Sequence, residues 1–222
     1  YNMAYFTGPN IVTDNLKLAL DAGSARSYPG SGTSADSIVG TNTATLYNGV
    51  AYSSNNGGFW DFDGSDDYIV TDFGNGLNPT TQDLSYGIWV KPDSTQTAMF
   101  IMQSNWASSV RFYIGSISGK LGWGIQDRGW GTGDTDLTFV SGEWYYINVI
   151  FSGTTAKLYA NGVLKATDTI SSYVFGNNLG IGSGQPYSGG YPWNGGIAAF
   201  RVYYQELTAA EVVQNYNAQK SR

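Results

Sequence analysis

Residues 144–168 constrain the fold more than any other part of this 222-residue chain. A β-branched and aromatic run is followed by Ser152-Gly153, and a second such run ends in Asn161-Gly162. Asn-Gly between apolar residues is the strongest short signal for a β-hairpin, because both central positions of a type I′ turn need a positive φ. The segment predicts three consecutive antiparallel strands. The first is expected to be central in its sheet and covered on most of both faces.

Short strands separated by turns are predicted along the rest of the chain. Alternation of apolar and polar residues is clean at 84–90, 110–115 and 120–126, and all three polar faces contain glycine. Asp63-Gly64 predicts a further hairpin, and apolar residues at 137–140 and 197–204 predict two more strands. About a dozen strands of this kind favour an all-β fold, a two-sheet antiparallel jelly-roll sandwich.

A single helix is predicted near the end of the chain. Thr208 and Glu211 have the spacing of a capping box, which opens a short amphipathic turn over 208–216. We expect its apolar side to cover an edge of the sandwich. Residues 1–15 are polar and are interpreted as an N-terminal arm, and residues 16–222 as one jelly-roll domain of a size that supports a single core.

Charge and residue types exclude several classes of function. The net charge is −6 and the 11 Lys and Arg residues are scattered singly, which argues against a nucleic-acid partner. The sequence has no run long enough for a membrane span and no signal-peptide pattern in its first 30 residues. Since it contains neither His nor Cys, a serine–histidine triad and a cysteine nucleophile are excluded.

Glycosidase chemistry is not predicted either. Two carboxylates must flank one glycosidic bond about 5–5.5 Å apart in a retaining glycosidase. The three glutamates, Glu143, Glu206 and Glu211, are not spaced to provide such a pair from one strand. We therefore expect a protein that is not an enzyme.

An acidic cluster leaves two interpretations open. Asp61, Asp63, Asp66 and Asp67 offer the oxygen ligands that calcium prefers. Aspartate is also favoured in tight turns without any metal, and the spacing lacks that of a full calcium loop. We expect no cofactor, with calcium at this cluster as the alternative.

Two surfaces carry candidate sugar-binding residues. On the polar strand faces, aromatic rings and hydrogen-bond donors stand beside small glycines: Trp89, Arg111 and Tyr113. On a loop rim, aromatic residues are spaced by Gly and Ser as in a paratope: Asn105, Trp106, Trp130, Tyr187, Tyr191 and Trp193. The rim is the preferred site because loops on a rigid scaffold carry function more often. The alternatives are packing against a neighbouring subunit for the first surface and loop anchoring for the second.

Several segments resemble the concanavalin A-like, laminin G-like jelly rolls, pentraxins included. The resemblance lies in FDGSDDYI (62–69), in 142–162 and in 179–216, and it extends over about 11–217. The opening LALDAGSARSYPGSG (18–32) is similar to laminin G-like domains of phage virion proteins. Pentraxins hold calcium in an acid-rich loop after a strand like LGIG, whereas the corresponding loop here, 183–190, contains no acid and Ala198 stands where many relatives have Asp.

The resemblance implies a non-enzymatic protein of the virion surface, a capsid decoration or a fibre or spike component with a lectin-like domain. Its partners would be other virion proteins and cell-surface or environmental glycans. A homo-oligomer, with a trimer as the specific expectation, would add avidity for a weak ligand. The alternative is a bacterial extracellular carbohydrate-binding module.

Overall fold

The structure, a computed structural model, describes residues 9–74, 81–105, 110–125, 135–170, 179–183 and 190–221, with the backbone alone at 104, 105, 110, 111 and 125. Its strands form two antiparallel sheets. Sheet A contains β1 (Leu16–Asp21), β4 (Ala51–Ser53), β5 (Phe59–Asp63), β7 (Leu84–Pro92), β11 (Tyr145–Ser152), β12 (Thr155–Ala160), β13 (Val163–Thr169) and β15 (Asn194–Tyr203). Sheet B contains β2 (Ser34–Asp36), β3 (Thr43–Tyr47), β6 (Tyr68–Thr71), β8 (Ala98–Asn105), β9 (Val110–Ile117), β10 (Lys120–Ile125) and β14 (Leu179–Ile181).

The strand orders are those of a jelly-roll sandwich, which confirms the predicted fold class. Sheet A runs β13-β12-β11-β7-β15-β5-β4, and sheet B runs β10-β9-β8-β14-β6-β3-β2. β1 pairs with the second half of β15, while β5 pairs with its first half. Because β7 pairs along the whole opposite side of β15, β1 and β5 lie end to end.

The three strands predicted within 144–168 form as expected. β11, β12 and β13 pair in sequence order, and β11 is an inner strand whose residues are all buried except Ser152. At the second turn, Asn161 and Gly162 have φ values of 50° and 83°. Both signs are those that a type I′ turn requires.

A single core fills the space between the sheets. From sheet A it receives alternate residues of β11, among them Ile147, Val149 and Phe151. Sheet B contributes buried residues from β8, β9 and β10: Ile101, Phe112, Ile114, Leu121 and Trp123. Each large apolar side chain so buried contributes about 1.5–3 kcal/mol to folding. The alternation read from the sequence therefore marks the inward faces correctly.

The C-terminal helix α1 (Ala209–Gln219) covers the outer face of sheet A rather than a sandwich edge. Its predicted capping box is present, with Thr208 as N-cap. Tyr216 stacks on Trp89 at 5.8 Å between ring centroids, and Val212 joins the same buried cluster. The predicted edge position was wrong because the outer face of sheet A is itself rich in aromatic residues that need cover. Among the described helices, none has the length and apolarity to traverse a bilayer.

The described part of the predicted arm, residues 9–15, packs along α1. The Val12 backbone N–H donates to Asn215 Oδ1 at 2.8 Å, and Gln214 Nε2 donates to the Asn10 carbonyl at 2.8 Å. Val12 is buried in the cluster beneath the helix. Residues 9–15 are thus held by the domain, while residues 1–8 lie outside the described part of the chain.

Two strand predictions were wrong, one of them because of the sheet topology. β5 and β6, which flank Asp63-Gly64, lie in different sheets, so the turn crosses the sandwich and does not close a hairpin. Trp60 and Phe62 of β5 and Ile69 of β6 face the same core. Two strands in facing sheets therefore show the same alternation of buried residues as two strands paired in a hairpin. Residues 137–140 form no strand, and only Thr138 makes a single bridge, to Lys120.

The three glycine-containing strand faces do not form one surface. β7 belongs to sheet A, whereas β9 and β10 belong to sheet B. Their polar faces therefore lie on opposite outer sides of the sandwich. Sequence alternation identifies the outward residues of a strand, but not the sheet to which the strand belongs.

Candidate functional site

A surface depression lies at one end of the sandwich, where turns from four separate segments meet. An open groove of about 310 Å³ is bounded by Asn48, Ser65, Asp66, Tyr68, Ser183, Gly190 and Pro192. We call it the tyrosine groove. A second depression of about 250 Å³, the acidic cavity, shares Asn48 with it and is bounded among others by Asp61, Asp63, Asp67, Asp93 and Asn194. The turn between β5 and β6 contributes to both.

Tyr68 lines the groove and stacks on the ring of Tyr47. Tyr47 and Tyr68 are direct cross-strand partners on β3 and β6, with ring centroids 4.6 Å apart and planes 12° from parallel. Their neighbours Leu46 and Ile69 point into the core, so both tyrosines point outward from sheet B. Tyr47 remains 40% exposed. Burial raises the pKa of Tyr68, and the nearby Tyr47 and Asp66 raise it further.

Hydrogen bonds fix the turn that forms the floor between the two depressions. The Ser65 N–H donates to Asp63 Oδ1 at 2.7 Å, and the Asp63 N–H donates to Asp67 Oδ2 at 3.0 Å. Asn48 reaches across from the β3–β4 turn, its Nδ2 donating to the Asp66 carbonyl at 2.8 Å. The groove is therefore preorganised by its own side chains, which lowers the entropic cost of binding.

The acidic cavity has an unfavourable concentration of negative charge. Burial raises the pKa of Asp67 most; the hydrogen bond from the Asp63 N–H opposes this, and repulsion from Asp63, Asp66 and Asp61 adds to it. The pKa of Asp61 is also raised, first by burial and then by Asp93, against the attraction of Lys91. For both aspartates, repulsion from neighbouring carboxylates adds to the effect of burial.

Three of the four aspartates singled out in the sequence could hold a cation together. The carboxylate oxygens of Asp63, Asp66 and Asp67 lie within 4.8 Å of one another, and hard cations take such oxygen ligands. The same residues also hold the turn through the hydrogen bonds described above. Both interpretations of the cluster from the sequence are compatible with this geometry.

Tyr191 is a predicted site residue that the structure places beside the tyrosine groove, between the lining residues Gly190 and Pro192. Its ring is 43% exposed, and its backbone adopts a φ of 63°, which is uncommon for a bulky residue. The Tyr191 carbonyl accepts a hydrogen bond from the Met99 N–H at 2.9 Å. Backbone strain of this kind concentrates at functional sites.

Three other predicted site residues are buried, and this corrects their placement. Trp193 is fully buried in the core, against Phe100 and Phe139, and is not on a rim. Trp89 is 3% exposed beneath α1. Tyr113 is 3% exposed and packs with Met99 and Met102 on the outer side of sheet B. An aromatic residue next to glycine reads the same in sequence whether its ring faces solvent or protein.

The remaining predicted residues are only partly visible or lie outside the described residues. The backbone of Asn105 ends β8 and that of Arg111 lies in β9, but the structure does not describe their side chains. Trp106, Trp130 and Tyr187 lie outside the described residues. Asn105 and Arg111 are at the end of sheet B opposite to Ser183, because Gln103 pairs with Leu179, where β14 begins. Among the described rim residues, Asn105 and Tyr191 therefore lie at different ends of the sandwich.

Sequence reasoning missed Tyr47, Asn48 and Tyr68 as site residues. A usable signal was present, since Tyr47 is an outward aromatic residue at the end of an alternating strand and is followed by Asn48-Gly49. Tyr68 is likewise an outward aromatic residue beside a turn, since it directly follows Asp66 and Asp67. What was missing was the pairing of β3 with β6, which brings the two rings together.

The observed partners of two glutamates are structural. Glu206 accepts a hydrogen bond from Lys157 Nζ at 2.7 Å, and the pKa of Glu206 is lowered by this bond first and by Ser152 second. A general acid of a glycosidase needs a raised pKa instead. Glu211 is occupied by the capping box of α1.

The fold has many relatives among solved structures. Domain 4 of AbnA, a GH43 extracellular arabinanase from Geobacillus stearothermophilus solved in complex with arabinotriose, superposes with a TM-score of 0.69 at 18% identity, covering 91% of this chain and 98% of that domain. The binding domain of botulinum neurotoxin serotype D gives 0.71 at 17% identity, covering 93% and 52%. Botulinum neurotoxin type C, whose cell entry depends on interaction with two ganglioside molecules, gives 0.68 at 14% identity, covering 92% and 51%.

These similarities concern the fold, and this chain spans about half the length of the toxin domains. No curated protein sequence matches the chain. A laminin G-like sequence profile of the concanavalin A-like lectin/glucanases superfamily matches residues 63–213, about two thirds of the chain. On this match and on the two-sheet jelly roll, the chain belongs to the concanavalin A-like lectin/glucanases superfamily.

Proposed function

We propose that this chain is a non-catalytic glycan-binding module and that its ligand occupies the tyrosine groove. The observation that carries the proposal is Tyr68, which lines a preorganised groove beside Asn48 and Asp66 and is supported by stacking on Tyr47. Aromatic faces pack on the C–H faces of sugar rings, while amides and carboxylates bond to their hydroxyl groups. The groove has the lower-end volume of a small-ligand site, which suits one or two sugar units.

The relatives support the proposal at the level of the fold. One of them, covered almost completely by this chain, was solved in complex with arabinotriose. That domain is a precedent for a carbohydrate ligand on a fold of this kind.

Binding to a glycan array, followed by calorimetry on the best ligand, tests the proposal. Tyr68→Ala should weaken binding by about tenfold or more, as expected for an aromatic residue at the centre of an interface. Tyr47→Ala removes the ring that supports Tyr68 and should weaken binding in the same direction. Leu164→Ala is the matched control, since Leu164 is 48% exposed on β13 at the far edge of sheet A. Absence of binding to any glycan, or full binding by both tyrosine variants, contradicts the proposal. Release of reducing ends from the bound glycan contradicts its non-catalytic part.

We also propose that the module acts on the surface of a phage virion, as a decoration, fibre or spike component. The support is the opening segment 18–32, similar to phage laminin G-like domains, which here forms β1 and the loop that follows it. We propose in addition that the protein is a homo-oligomer, with a trimer as the specific expectation. The alternative setting is a bacterial extracellular module. Immunogold labelling of phage particles tests the virion location, and particles without label contradict it. Light scattering of the isolated protein tests the oligomer, and a monomer contradicts it.

We propose further that no cofactor is needed for folding, with calcium at Asp63, Asp66 and Asp67 as the alternative. The turn is already held by backbone hydrogen bonds to Asp63 and Asp67. The Tm should then be the same in EDTA and in calcium. A higher Tm in calcium than in EDTA, with the difference abolished by Asp67→Asn, would establish the alternative.

A further inference from the structure

The walls of the tyrosine groove and of the acidic cavity carry charge of one sign. Asp66 lines the groove, and its carboxylate lies within 4.8 Å of those of Asp63 and Asp67. Asp61 and Asp93 add two further acids to the adjoining cavity. No lysine or arginine is among the described residues that line either depression.

The nearest compensation is local. Lys91 Nζ lies 3.1 Å from Asp93 Oδ1, and the same ammonium stands 4.8 Å from the centroid of the Phe59 ring. This contact offsets Asp93, whereas none of the ion pairs between described residues involves Asp63, Asp66 or Asp67. After burial, repulsion from Asp63, Asp66 and Asp61 raises the pKa of Asp67, in line with this arrangement of charges.

We propose that the tyrosine groove selects glycans without acidic groups and that Asp66 is the residue that rejects anionic ones. This inference rests on the proposed function of the groove. Carboxylates accept hydrogen bonds from sugar hydroxyls, so Asp66 can bind a neutral sugar directly. A carboxylate on the ligand has no hydrogen to donate and meets no described cation in the groove. Burying such a group unpaired is unfavourable.

The size of the effect follows from Coulomb's law. Two like charges about 5 Å apart at the effective dielectric of a protein surface repel enough to weaken binding by about tenfold or more. Asp63 and Asp67 add to this repulsion. Because Asp66 is exposed, dissolved salt screens much of it, so the discrimination should shrink as ionic strength rises.

A matched pair of ligands tests the inference. An array of neutral and acidic glycans is probed first, with and without calcium. Calorimetry then compares galactotriose with the galacturonic acid trimer, which differs in its carboxyl groups. The neutral trimer should bind at least about tenfold more tightly at low salt. Asp66→Asn and added salt should each narrow the ratio between the two affinities. Asp36→Asn, an equal charge change on exposed β2 of sheet B, should leave the ratio unchanged.

The outcomes separate this inference from the proposed function. Hits confined to neutral glycans, with a ratio that Asp66→Asn narrows, support both. Hits among acidic glycans, or equal affinities for the two trimers, overturn the selectivity and leave glycan binding in place. A ratio that Asp36→Asn narrows as much as Asp66→Asn overturns the role of Asp66. If no glycan on the array binds in either buffer, the proposed function fails and the selectivity fails with it.

Discussion

Replacing Trp193 should lower the stability of the fold and should not remove a ligand contact. The side chain is fully buried, and its ring meets Phe100 edge-on at 5.2 Å and Phe139 at 6.4 Å between centroids. Truncating a buried tryptophan to alanine costs about 3–5 kcal/mol, from lost burial and from the cavity left behind. For a domain of this size that lowers the Tm by roughly 6–20 °C.

Trp193→Phe separates the cost of losing aromatic contacts from the effect of removing the buried indole N–H. The indole Nε1 is buried and finds no hydrogen-bond partner among the described residues, a burden of about 1–3 kcal/mol that phenylalanine removes. The smaller ring keeps most of the aromatic contacts. We therefore expect Trp193→Phe to cost less than half as much as Trp193→Ala. Tyr191→Ala, two residues earlier and 43% exposed in the wild type, should cost no more than about 1 kcal/mol.

Urea denaturation followed by far-UV circular dichroism measures all three variants without relying on tryptophan fluorescence. Equal m-values would show that the folded and unfolded states stay comparable. A cost below about 1 kcal/mol for Trp193→Ala would refute the core placement. Equal costs for the alanine and phenylalanine variants would refute the argument from the unpartnered N–H.

Three further predictions concern stability. Thr208→Ala removes the N-cap of α1 and should lower the free energy of unfolding by about 1 kcal/mol in urea titrations, whereas Thr208→Ser should not. Gly182→Ala should cost about 2–4 kcal/mol, because φ is 84° there and a methyl group would overlap the Phe62 ring; an unchanged Tm would contradict this. Glu206 has a pKa below its ordinary 4.5, so its bond to Lys157 stabilises the fold above that pH and is lost as the pH falls through the lowered value. Glu206→Gln should therefore make the Tm fall less steeply as the pH drops. The stability at stake is under about 1 kcal/mol because about a third of each side chain is exposed, and an unchanged acid limb of the profile would contradict the assignment.

Local signals in the sequence were sufficient for most of the elements and for the fold class, although the strand predicted at 137–140 does not form. Asn161-Gly162 and the capping box at Thr208 each depend on residues a few positions apart, and both formed as predicted. The partners of β5 and β6 depend on contacts distant in sequence, and the predicted hairpin was wrong. A turn motif specifies the reversal of the chain, but the sheet that each strand joins is decided by the whole core.

The candidate site could be predicted only in part for the same reason. Tyr191 was identified, and it lies beside the groove. Trp193 has the same glycine-rich surroundings in sequence, yet its ring is in the core. Tyr47, Asn48 and Tyr68 come from two strands whose adjacency the sequence does not encode locally. A site assembled from four separated turns requires the tertiary pairing before its members can be recognised.

The contact between residues 9–12 and α1 has a consequence for how this domain can be joined to other proteins. Near the start of the described chain, Asn10 and Val12 bond to Gln214 and Asn215 of the C-terminal helix on the outer side of sheet A. Tyr47 and Tyr68 project from the opposite sheet. The domain could thus be inserted into a loop of a host protein without spreading that loop, and a circular permutant joining residues 9 and 221 would need only a short linker. In either arrangement the groove would point away from the attachment.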